Sequence, residues 1–463
     1  MLWRSRTHHA VRMYTTILPL ARRDAAGAAD FGISFAEKDS GATDEPLQHA
    51  AVSYATSGAA ENIDRAAAHL RAGELVAFPT ETVYGLGASA LSADAALKIY
   101  AAKARPADNP LIVHISDLSM LRRLVPPGYV LNQVCAALAQ TFWPGPLTLL
   151  FPIGGGDAAA PVVPSVVTCG QPTVGVRIPA HPVARALIAA ADTPVAAPSA
   201  NASGRPSPTT AQHVLDDLGQ RGVLRYILDG GACSVGVEST VIDAVSTSDE
   251  VRILRPGGVT AEHVAHVLAA RNLLADTPGA APGARRIRVY GRDFHSAQEE
   301  HAPTTPGMKY RHYSPDARVI LMRAAAQGES LAGVLAECAA ERENACIGLM
   351  CAHDSPLMRI VEGMDRGLAE WSGDERLSPV RQVQLGARTL QLCVYSLGSR
   401  ASPATAAQRL FDGLRTLDSL VPWAGARRAC DVILVEAVGE DGVGFAVMNR
   451  LRKAASATVA VSN

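Results

Sequence analysis

The stretch Glu74-Leu-Val-Ala-Phe-Pro-Thr-Glu-Thr-Val-Tyr-Gly-Leu-Gly87 changes character at Pro79. Its first five residues are mostly apolar and predict a short buried strand. Threonine hydroxyls, the Glu81 carboxylate and two glycines follow in a predicted loop over residues 79–87. Because α/β proteins bind ligands beyond the ends of their strands, this loop is a candidate binding site. A simple turn capped by threonine hydroxyls is the alternative.

Short strands and helices alternate on both sides of this stretch, within a predicted domain over residues 56–275. The pattern is that of an α/β domain, but the strands and helices do not form a regular βαβ repeat. We therefore expect a twisted mixed sheet with flanking helices. The predicted strands are 74–78, 111–115, 147–151, 174–178, 195–197, 224–228, 239–242 and 251–254. The predicted helices are 59–72, 93–102, 183–191, 211–218 and 261–270.

A second, smaller domain is predicted over residues 318–463, after a linker over 276–317 that is rich in proline, glycine and polar residues. Strands and helices alternate regularly in it, which predicts a Rossmann-like parallel α/β sheet. No G-x-G-x-x-G motif follows its first strand, so a dinucleotide is not indicated. The predicted strands are 318–322, 345–351, 390–397 and 431–438, and the predicted helices are 330–342, 404–417 and 445–454.

The composition is that of a globular protein, with 48% hydrophobic and 19% charged residues in 463. A length of this size favours two folded domains. The formal net charge of −1 argues against a general nucleic-acid coat, although a local basic groove could still contact RNA. None of the eight cysteines forms a C-x-x-C pair, so we expect reduced, buried thiols rather than zinc sites or disulfides.

Residues 1–55 are predicted to be a tail without a core of their own. Residues 1–23 carry five arginines and no acidic residue, which is typical of a mitochondrial transit peptide, and a disordered basic tail is the alternative. Met13 could serve as a second start. We expect a cytoplasmic protein, with a mitochondrial form if this segment is a transit peptide. No apolar run reaches the roughly 18 residues that span a bilayer, so no membrane partner is expected.

The densest polar motif is Lys103-Ala-Arg105-Pro-Ala-Asp-Asn109-Pro, between a predicted helix and a predicted strand. A lysine offers a compact charge and an arginine offers a planar fork, and together they suit a polyphosphate. Asn109 adds a donor and an acceptor at a turn. The alternative is a helix C-terminus, where basic side chains are favoured.

A third motif, Pro198-Ser199-Ala-Asn201-Ala-Ser-Gly204, combines small polar residues with glycine, so that backbone N–H groups can approach an anion. Farther on, Ser207 or Thr209 could instead cap the helix that begins near residue 211. Arg177 lies in an apolar strand and therefore needs a partner, either a ligand carboxylate or Glu81. Ser239 and Arg255 are weaker signals of the same kind. His263 and His266 share a helix face, but no third metal ligand is placed.

The order and spacing of these motifs closely resemble the YrdC/Sua-five family of threonylcarbamoyl-AMP synthases, over residues 60–270. Residues 306–315, Pro-Gly-Met-Lys-Tyr-Arg-His-Tyr-Ser-Pro, are similar to the linker of the two-domain Sua-five form, and residues 442–454 to the end of its C-terminal domain. The resemblance implies a YrdC-like sheet and a Sua-five-type C-terminal domain. The linker segment 276–302 is longer than the family needs, and the first 50 residues match nothing in it.

The resemblance implies that L-threonine, bicarbonate and ATP form threonylcarbamoyl-AMP and pyrophosphate. A separate tRNA threonylcarbamoyl transferase then uses the product to modify adenosine 37 of tRNAs that read codons beginning with A. It implies no protein metal site, but Mg²⁺ held by the ATP phosphates and water. The implied catalytic residues are Lys103 and Arg105. The implied ATP-binding residues are Lys103, Arg105, Asn109, Thr173, Ser199, Asn201, Ser207, Arg255 and Tyr313. The implied threonine-binding residues are Thr82, His114, Arg177, Ala197 and Ser239, with Tyr310, His312 and Tyr313 as a lid.

Two other functions compete with this one. A double-stranded RNA-binding module could use the concave surface of the same fold, but the net charge of −1 and the lid sequence oppose it. A carbamoyl-transfer enzyme of the hydrogenase-maturation type would carry C-x-x-C zinc fingers and an acylphosphatase segment. Neither feature is present in the sequence.

Overall fold

A computed structural model of the chain describes residues 15–20, 22–23, 29–37, 50–153, 162–275, 277, 279–281, 283–295, 304, 312–342, 344–364, 376–386, 388–419, 421–423 and 426–462. Most of the predicted transit segment lies outside these ranges, as do Tyr310 and most of the linker piece 306–315. Within the described part of the chain, no helix has both the length and the hydrophobicity that a membrane crossing requires.

The strands and helices fall into two α/β units. The strands are β1 (Thr16–Pro19), β2 (Arg22–Arg23), β3 (Ala29–Asp30), β4 (Ile33–Glu37), β5 (Ala50–Tyr54), β6 (Val76–Phe78), β7 (Gly85–Ser89), β8 (Val113–His114), β9 (Leu147–Pro152), β10 (Thr173–Arg177), β11 (Val195–Ala196), β12 (Tyr226–Asp229), β13 (Thr240–Asp243), β14 (Glu250–Arg255), β15 (Arg286–Val289), β16 (Arg318–Glu329), β17 (Cys346–Cys351), β18 (Arg381–Leu385), β19 (Arg388–Ser396), β20 (Val421–Trp423), β21 (Ala426–Arg428), β22 (Val432–Glu436) and β23 (Ala457–Val461). The helices are α1 (Ser57–Arg71), α2 (Ala93–Lys103), α3 (Leu118–Leu121), α4 (Gln133–Phe142), α5 (Ser165–Thr168), α6 (Pro182–Ala191), α7 (Ala211–Leu218), α8 (Ala261–Ala270), α9 (Leu331–Ala340), α10 (Pro356–Met364), α11 (Pro403–Asp418) and α12 (Val443–Ala454), with a 3₁₀ turn at Gly219–Arg221.

The first unit is built on an eleven-stranded sheet in the order β1-β12-β6-β7-β11-β8-β10-β9-β13-β14-β15. Neighbours are parallel in some pairs, such as β10 with β8, and antiparallel in others, such as β10 with β9. The predicted mixed sheet is therefore confirmed. Its short strands are buried along most of their length, as expected for a sheet that helices cover on both faces.

The second unit has a six-stranded sheet in the order β18-β19-β17-β22-β16-β23. All neighbours are parallel except β18 with β19 at the edge. Alternate residues of β16 face different cores: Val319 and Leu321 pack with α11 and α12, whereas Ile320 and Met322 pack with α9 and α10. Helices thus cover both faces, which confirms the predicted parallel α/β domain.

The structure differs from the sequence analysis at the N-terminal side. Residues 1–55 were expected to be a tail, whereas β1 pairs in parallel with β12 and extends the large sheet. Strands β4 and β5 form an antiparallel pair, and Phe35 stacks against the buried Arg185 of α6. Within the predicted linker, β15 adds in parallel to β14 and so belongs to the first sheet.

Part of the predicted loop over residues 79–87 is a strand. Strand β7 pairs antiparallel with β6, so Gly85 and Gly87 lie inside the sheet. A Cβ atom on Gly87 would come within 2.7 Å of both Phe78 and Val195. These glycines therefore serve close packing, and not only the loop flexibility that the sequence suggested.

Replacing Gly87 by alanine is expected to lower the free energy of unfolding by about 1–3 kcal/mol, because the added methyl overpacks the sheet. Gly58→Ala is the matched control, since no atom lies within 4 Å of a Cβ at that position in α1. Urea denaturation of both variants measures the difference. Equal stabilities would contradict the packing role of Gly87.

Helix α7 begins after Thr210, whose hydroxyl accepts the backbone N–H of His213 at 3.3 Å. The prediction that Ser207 or Thr209 caps this helix is wrong, because Thr210 directly precedes its first residue. Ser207 instead donates to Glu238 at 2.7 Å. Its hydroxyl is thereby free of any helix-capping role.

The two units meet across a buried interface. Val83 and Val237 of the first unit pack in one apolar cluster with Tyr313 of the linker and Phe411 of α11. Arg415 of α11 also reaches the first unit, where it pairs with Asp217 at 2.8 Å and donates to the backbone of residues 206 and 207. The second unit therefore packs against the region of the predicted binding loop.

Candidate active site

A pocket lies where the polar ends of several strands of the first sheet meet the linker. Its empty space, counting the open mouth, is about 540 Å³. Three arginines and one glutamate are the charged residues among the described residues that line it, so it favours an anionic ligand. The lining consists of Thr80, Thr82, Val83, Gly85, Arg105, Ile112, His114, Arg177, Ala197, Pro198, Ser199, Glu238, Ser239, Arg255, His312 and Tyr313.

Arg177, at the end of β10, is held by a buried ion pair. Its Nη2 lies 2.6 Å from Glu81 Oε1, its Nη1 donates to Thr82 Oγ1 at 2.9 Å, and its Nε donates to the carbonyl of Gly145 at 3.0 Å. Of the two partners proposed from the sequence, Glu81 is confirmed. These contacts use three of the five guanidinium N–H groups, and threonine binding by Arg177 stays a prediction.

Lys103 is the last residue of α2, and its ammonium is buried behind the loop 199–201. Nζ donates to the carbonyls of Ser199 and Asn201, the latter at 2.5 Å. Burial and the Arg105 guanidinium lower the pKa of Lys103. Lys103 lies in the last turn of α2, as the helix C-terminus alternative expects, but its ammonium bonds a distant loop. Lys103 is absent from the pocket lining, and its role as a phosphate contact stays a prediction.

The loop 199–201 is stiffened by its own side chains. Ser199 Oγ donates to Asn201 Oδ1 at 2.5 Å, and Asn201 Nδ2 donates to the carbonyls of Ala202 and Arg205 at 2.7 and 2.9 Å. Only Ser199 of this pair lines the pocket. Lys103 and Asn201 therefore fix the position of Ser199, and their own contacts to ATP stay predictions.

Arg105 does line the pocket. Its Nη2 donates to the carbonyl oxygens of Asn109 and Pro110 at 3.1 and 3.3 Å, so the turn after α2 holds the guanidinium in place. The side-chain oxygen of Asn109 is buried and has no hydrogen-bond partner among the described residues. Asn109 is not among the lining residues, although its carbonyl holds Arg105, which is.

His114 and Ala197 form the floor on the predicted threonine side. Burial and the nearby Arg177 lower the pKa of His114 to about 3, so the imidazole is neutral at pH 7. Its Nδ1 is buried without a hydrogen-bond partner in the part of the chain that the structure describes. Unpaired buried polar atoms are costly, and a bound ligand would satisfy this one. The backbone N–H of Ala197 donates to Ile112 at 2.9 Å, which fixes the adjacent loop.

Ser239 and Arg255 also line the pocket and are joined to each other by hydrogen bonds. Arg255 donates through Nε and Nη2 to the carbonyl of Ser239 at 3.1 and 2.9 Å, and through Nη2 to its hydroxyl at 3.1 Å. The same hydroxyl lies 2.8 Å from Thr148 Oγ1. Burial lowers the pKa of Arg255 to about 10, so it remains charged at pH 7. Both weaker sequence signals therefore belong to the site.

His312 and Tyr313 come from the linker and roof the pocket, as the lid prediction requires. Their rings lie 4.3 Å apart, and Tyr313 packs 5.1 Å from Phe411 of α11. Tyr313 adopts a left-handed backbone with φ of 67°, an uncommon conformation for a bulky residue. The aromatic roof is thus held by the second unit.

Thr173 is not brought to the pocket. It lies at the start of β10, four residues from Arg177, which is roughly 13 Å along a strand. Only a ligand that extends along this face of β10 could reach it, past the side-chain-free Gly175. Its role as an ATP contact stays a prediction.

Glu238 is the charged residue of the described lining that the sequence analysis missed as a site residue. It accepts from Ser207 at 2.7 Å and from Arg450 Nε at 3.0 Å, and Arg450 lies on α12 of the second unit. The segment Gly-Val-Glu-Ser-Thr-Val, residues 236–241, was noted only for its hydroxyls. A glutamate within an apolar run was the available signal, since such a charge needs a partner.

Other expectations about ligating groups can also be compared with the structure. The eight cysteines are free thiols, and seven of them are buried, as predicted. No group of three or more histidine, cysteine, aspartate or glutamate side chains suited to a metal ion occurs among the described residues. His263 and His266 therefore gain no third ligand there.

Two family models match the chain. The model described as "Telomere recombination" matches residues 68–257, and the model described as "Threonylcarbamoyl-AMP synthase, C-terminal domain" matches residues 259–456. The second match begins before α8, which the sequence analysis placed in the first domain. In the structure, α8 packs against α4 of that domain.

Several relatives are similar over nearly their full length. Threonylcarbamoyl-AMP synthase of Schizosaccharomyces pombe is 40% identical over 92% of this chain and 95% of its own. The Bacillus subtilis protein of the same name is 39% identical over 86% of this chain and 94% of its own. The crystal structure of Pyrococcus abyssi Sua5 complexed with L-threonine is 37% identical, with a TM-score of 0.63, and covers 87% of this chain and 96% of that one.

Proposed function

The chain belongs to the threonylcarbamoyl-AMP synthase family, and we propose that it is a nucleotidyltransferase that joins L-threonine, bicarbonate and ATP into threonylcarbamoyl-AMP with release of pyrophosphate. The observation that carries the proposal is that one pocket holds members of both predicted sets of side chains. Its lining includes Arg105, Ser199 and Arg255 of the predicted ATP set and Thr82, His114 and Arg177 of the predicted threonine set. One site can therefore present an amino acid to a nucleotide.

The chemistry requires such a shared, enclosed site. The threonine amine and bicarbonate form a carbamate and water, and a carbamate oxygen then attacks the α-phosphorus of ATP. The bond from this phosphorus to the bridging oxygen breaks, and pyrophosphate leaves with the electron pair. Carbamates are weak nucleophiles and decompose readily, so the step depends on positioning and charge neutralisation more than on a strong base.

The residues support a division of roles. Arg105 and Arg255 are charged residues of the lining and suit the phosphates. Ser199 lines the pocket too, on the loop that Lys103 anchors. On the threonine side, His114 offers a neutral ring with an unpaired Nδ1, and the Thr82 and Ser239 hydroxyls can bond polar groups of the amino acid. The roof of His312 and Tyr313 would exclude water from the carbamate.

Mg²⁺ is proposed to enter with ATP rather than to occupy a protein site. Glu238, the one acid among the described lining residues, is already bonded by Ser207 and Arg450, and Glu81 is paired with Arg177. The described lining thus offers no free carboxylate, and phosphate oxygens and water are the remaining ligands for the ion. Its chemistry would be to neutralise phosphate charge.

The proposed product would serve tRNA modification. Threonylcarbamoyl-AMP is a mixed anhydride, so a separate transferase must accept it and place the threonylcarbamoyl group on adenosine 37 of tRNA. Direct RNA contact through a basic groove remains a prediction, as does a cytoplasmic location with a mitochondrial form. Stoichiometric RNA binding with no ATP turnover would favour the RNA-binding alternative instead.

Pyrophosphate release from ATP is expected to require threonine and bicarbonate together. Omitting either one should reduce release to background, because the attacking carbamate forms only from both. A coupled pyrophosphatase assay measures this, and mass spectrometry identifies the product. Release at the same rate with serine in place of threonine, or without bicarbonate, would overturn the assignment.

A further inference from the structure

The motif at residues 442–454 forms helix α12, and the proposed reaction gives it no role so far. Arg450 on this helix is 1% exposed, although it is among the largest charged side chains in the chain. Its guanidinium crosses to the first unit: Nε donates to Glu238 Oε2 at 3.0 Å, and Nη1 donates to the carbonyl of Pro256. A buried arginine needs such partners, and these two lie in the first domain, while Nη1 also donates to the carbonyl of Ala446 in α12 at 3.3 Å.

The partner of this arginine is the one acidic side chain that the structure places in the pocket lining. Burial alone would raise the pKa of Glu238, but the guanidinium groups of Arg450 and Arg255 and the Ser207 hydroxyl lower it to about 2. The carboxylate is therefore ionised at pH 7. Arg255 lies beside this carboxylate in the chain fold, because it donates to the carbonyl and the hydroxyl of the next residue, Ser239, at 2.9 and 3.1 Å.

An ionised carboxylate at this position creates two difficulties for a site that takes a triphosphate. It repels the phosphates across a low-dielectric pocket, and it attracts Arg255, which the phosphates need. An ion pair with a cation from outside the pocket removes both difficulties. The ring of Tyr313 lies 6.0 Å from the same guanidinium, so Arg450 also contacts the roof.

We propose that Arg450 is a positioning residue of the nucleotide site, which neutralises and immobilises Glu238 so that the carboxylate neither repels a triphosphate nor draws Arg255 away from it. This inference rests on the proposed function, because it assumes that ATP occupies the pocket. It gives the second domain a defined part in a reaction that takes place in the first.

The test is a double-mutant cycle on equilibrium binding of ATP, measured by isothermal titration calorimetry without threonine, so that turnover is not needed. Arg450→Met is expected to weaken ATP binding by about tenfold or more, because Glu238 stays charged and loses its ion pair, keeping only the Ser207 hydrogen bond and the charge of Arg255, which it then attracts more strongly. In the Glu238→Gln background the same substitution should have an effect of less than about threefold, because no charge remains to be neutralised. Arg450→Lys should restore part of the affinity.

Arg452→Met is the matched control on α12, since Arg452 is exposed and pairs only with Glu440 among the described residues. It should leave the ATP affinity unchanged. Thermal unfolding of each variant shows whether it is folded at the assay temperature, and steady-state kinetics should show the loss mainly in KM for ATP rather than in kcat.

Equal losses from Arg450→Met in the wild-type background and in the Glu238→Gln background would overturn the inference, since a purely structural tether does not depend on the charge of its partner. An unchanged ATP affinity in Arg450→Met would overturn it as well. The proposed function fails separately, if wild-type protein binds ATP but releases no pyrophosphate with threonine and bicarbonate.

Discussion

Replacing Lys103 by alanine is expected to lower kcat/KM for ATP by about 10²- to 10³-fold in the pyrophosphate-release assay, as removal of a preorganised charged donor does in other enzymes. The ammonium is the shared donor for the carbonyls of Ser199 and Asn201. Without it both carbonyls are buried with one bond fewer, and the loop loses the position that presents Ser199. The pocket also loses a positive charge close to Arg105.

Three further variants make this prediction specific. Lys103→Met keeps the volume without the charge and should be nearly as impaired, whereas Lys103→Arg should not restore activity, because a planar fork does not fit a site shaped for a compact ammonium. Lys98→Ala on the same helix is the control, since Lys98 is 42% exposed and pairs with Glu74 at the surface. Activity within about threefold of wild type in Lys103→Ala would contradict an essential role.

Replacing Arg177 by methionine is expected to lower the free energy of unfolding by about 3–5 kcal/mol, because it leaves the buried Glu81 carboxylate without its counter-ion. The value should fall toward the lower end, since the backbone N–H of Ala180 still donates to Glu81 Oε2 at 3.1 Å. Threonine binding should weaken by at least about 30-fold, because Thr82 loses the donor that orients it. Denaturant unfolding and threonine titration measure the two effects.

The double variant Arg177→Met/Glu81→Leu separates these effects. Replacing both members of a buried pair by apolar groups often restores stability, so unfolding should return toward wild type while threonine binding stays weak. Arg123→Ala, which removes a surface pair with Asp192, is the matched control and should change stability by about 1 kcal/mol or less. Threonine affinity that recovers together with stability would show that Arg177 acts only on the fold.

The main architecture could be predicted because the apolar runs of its helices and strands are long and regular. Helices α1, α2, α6, α7 and α8 and the strands around them agree with the structure within a few residues. Strand β7 was missed because two glycines mimic a loop, and only the neighbouring Phe78 and Val195 explain them. Strand β1 was missed because a four-residue edge strand has no period of its own and is defined by its partner β12.

Several residues of the site were predicted, but their partners and the directions of their side chains were not. Motif spacing identified Arg105, Ser199, Arg177 and Arg255, which the fold does bring to one pocket. The direction in which each side chain points could not be predicted. Lys103 and Arg105 are two residues apart, yet Lys103 lies behind the loop 199–201 and Arg105 lines the pocket. The partner of Glu238 could not be predicted either, because Arg450 lies in another domain and only tertiary packing brings the two together.

The ion pair between Glu238 and Arg450 also has a consequence for the order in which the protein is made. These residues are 212 positions apart, and domains generally fold as units while the chain is synthesised from its N-terminus. The first domain can therefore form its sheet while the pocket wall still carries an uncompensated charge. Helix α12 supplies Arg450 late in synthesis, so under the proposed role of this arginine a nascent chain that has only the first domain would bind the nucleotide less tightly than the complete protein.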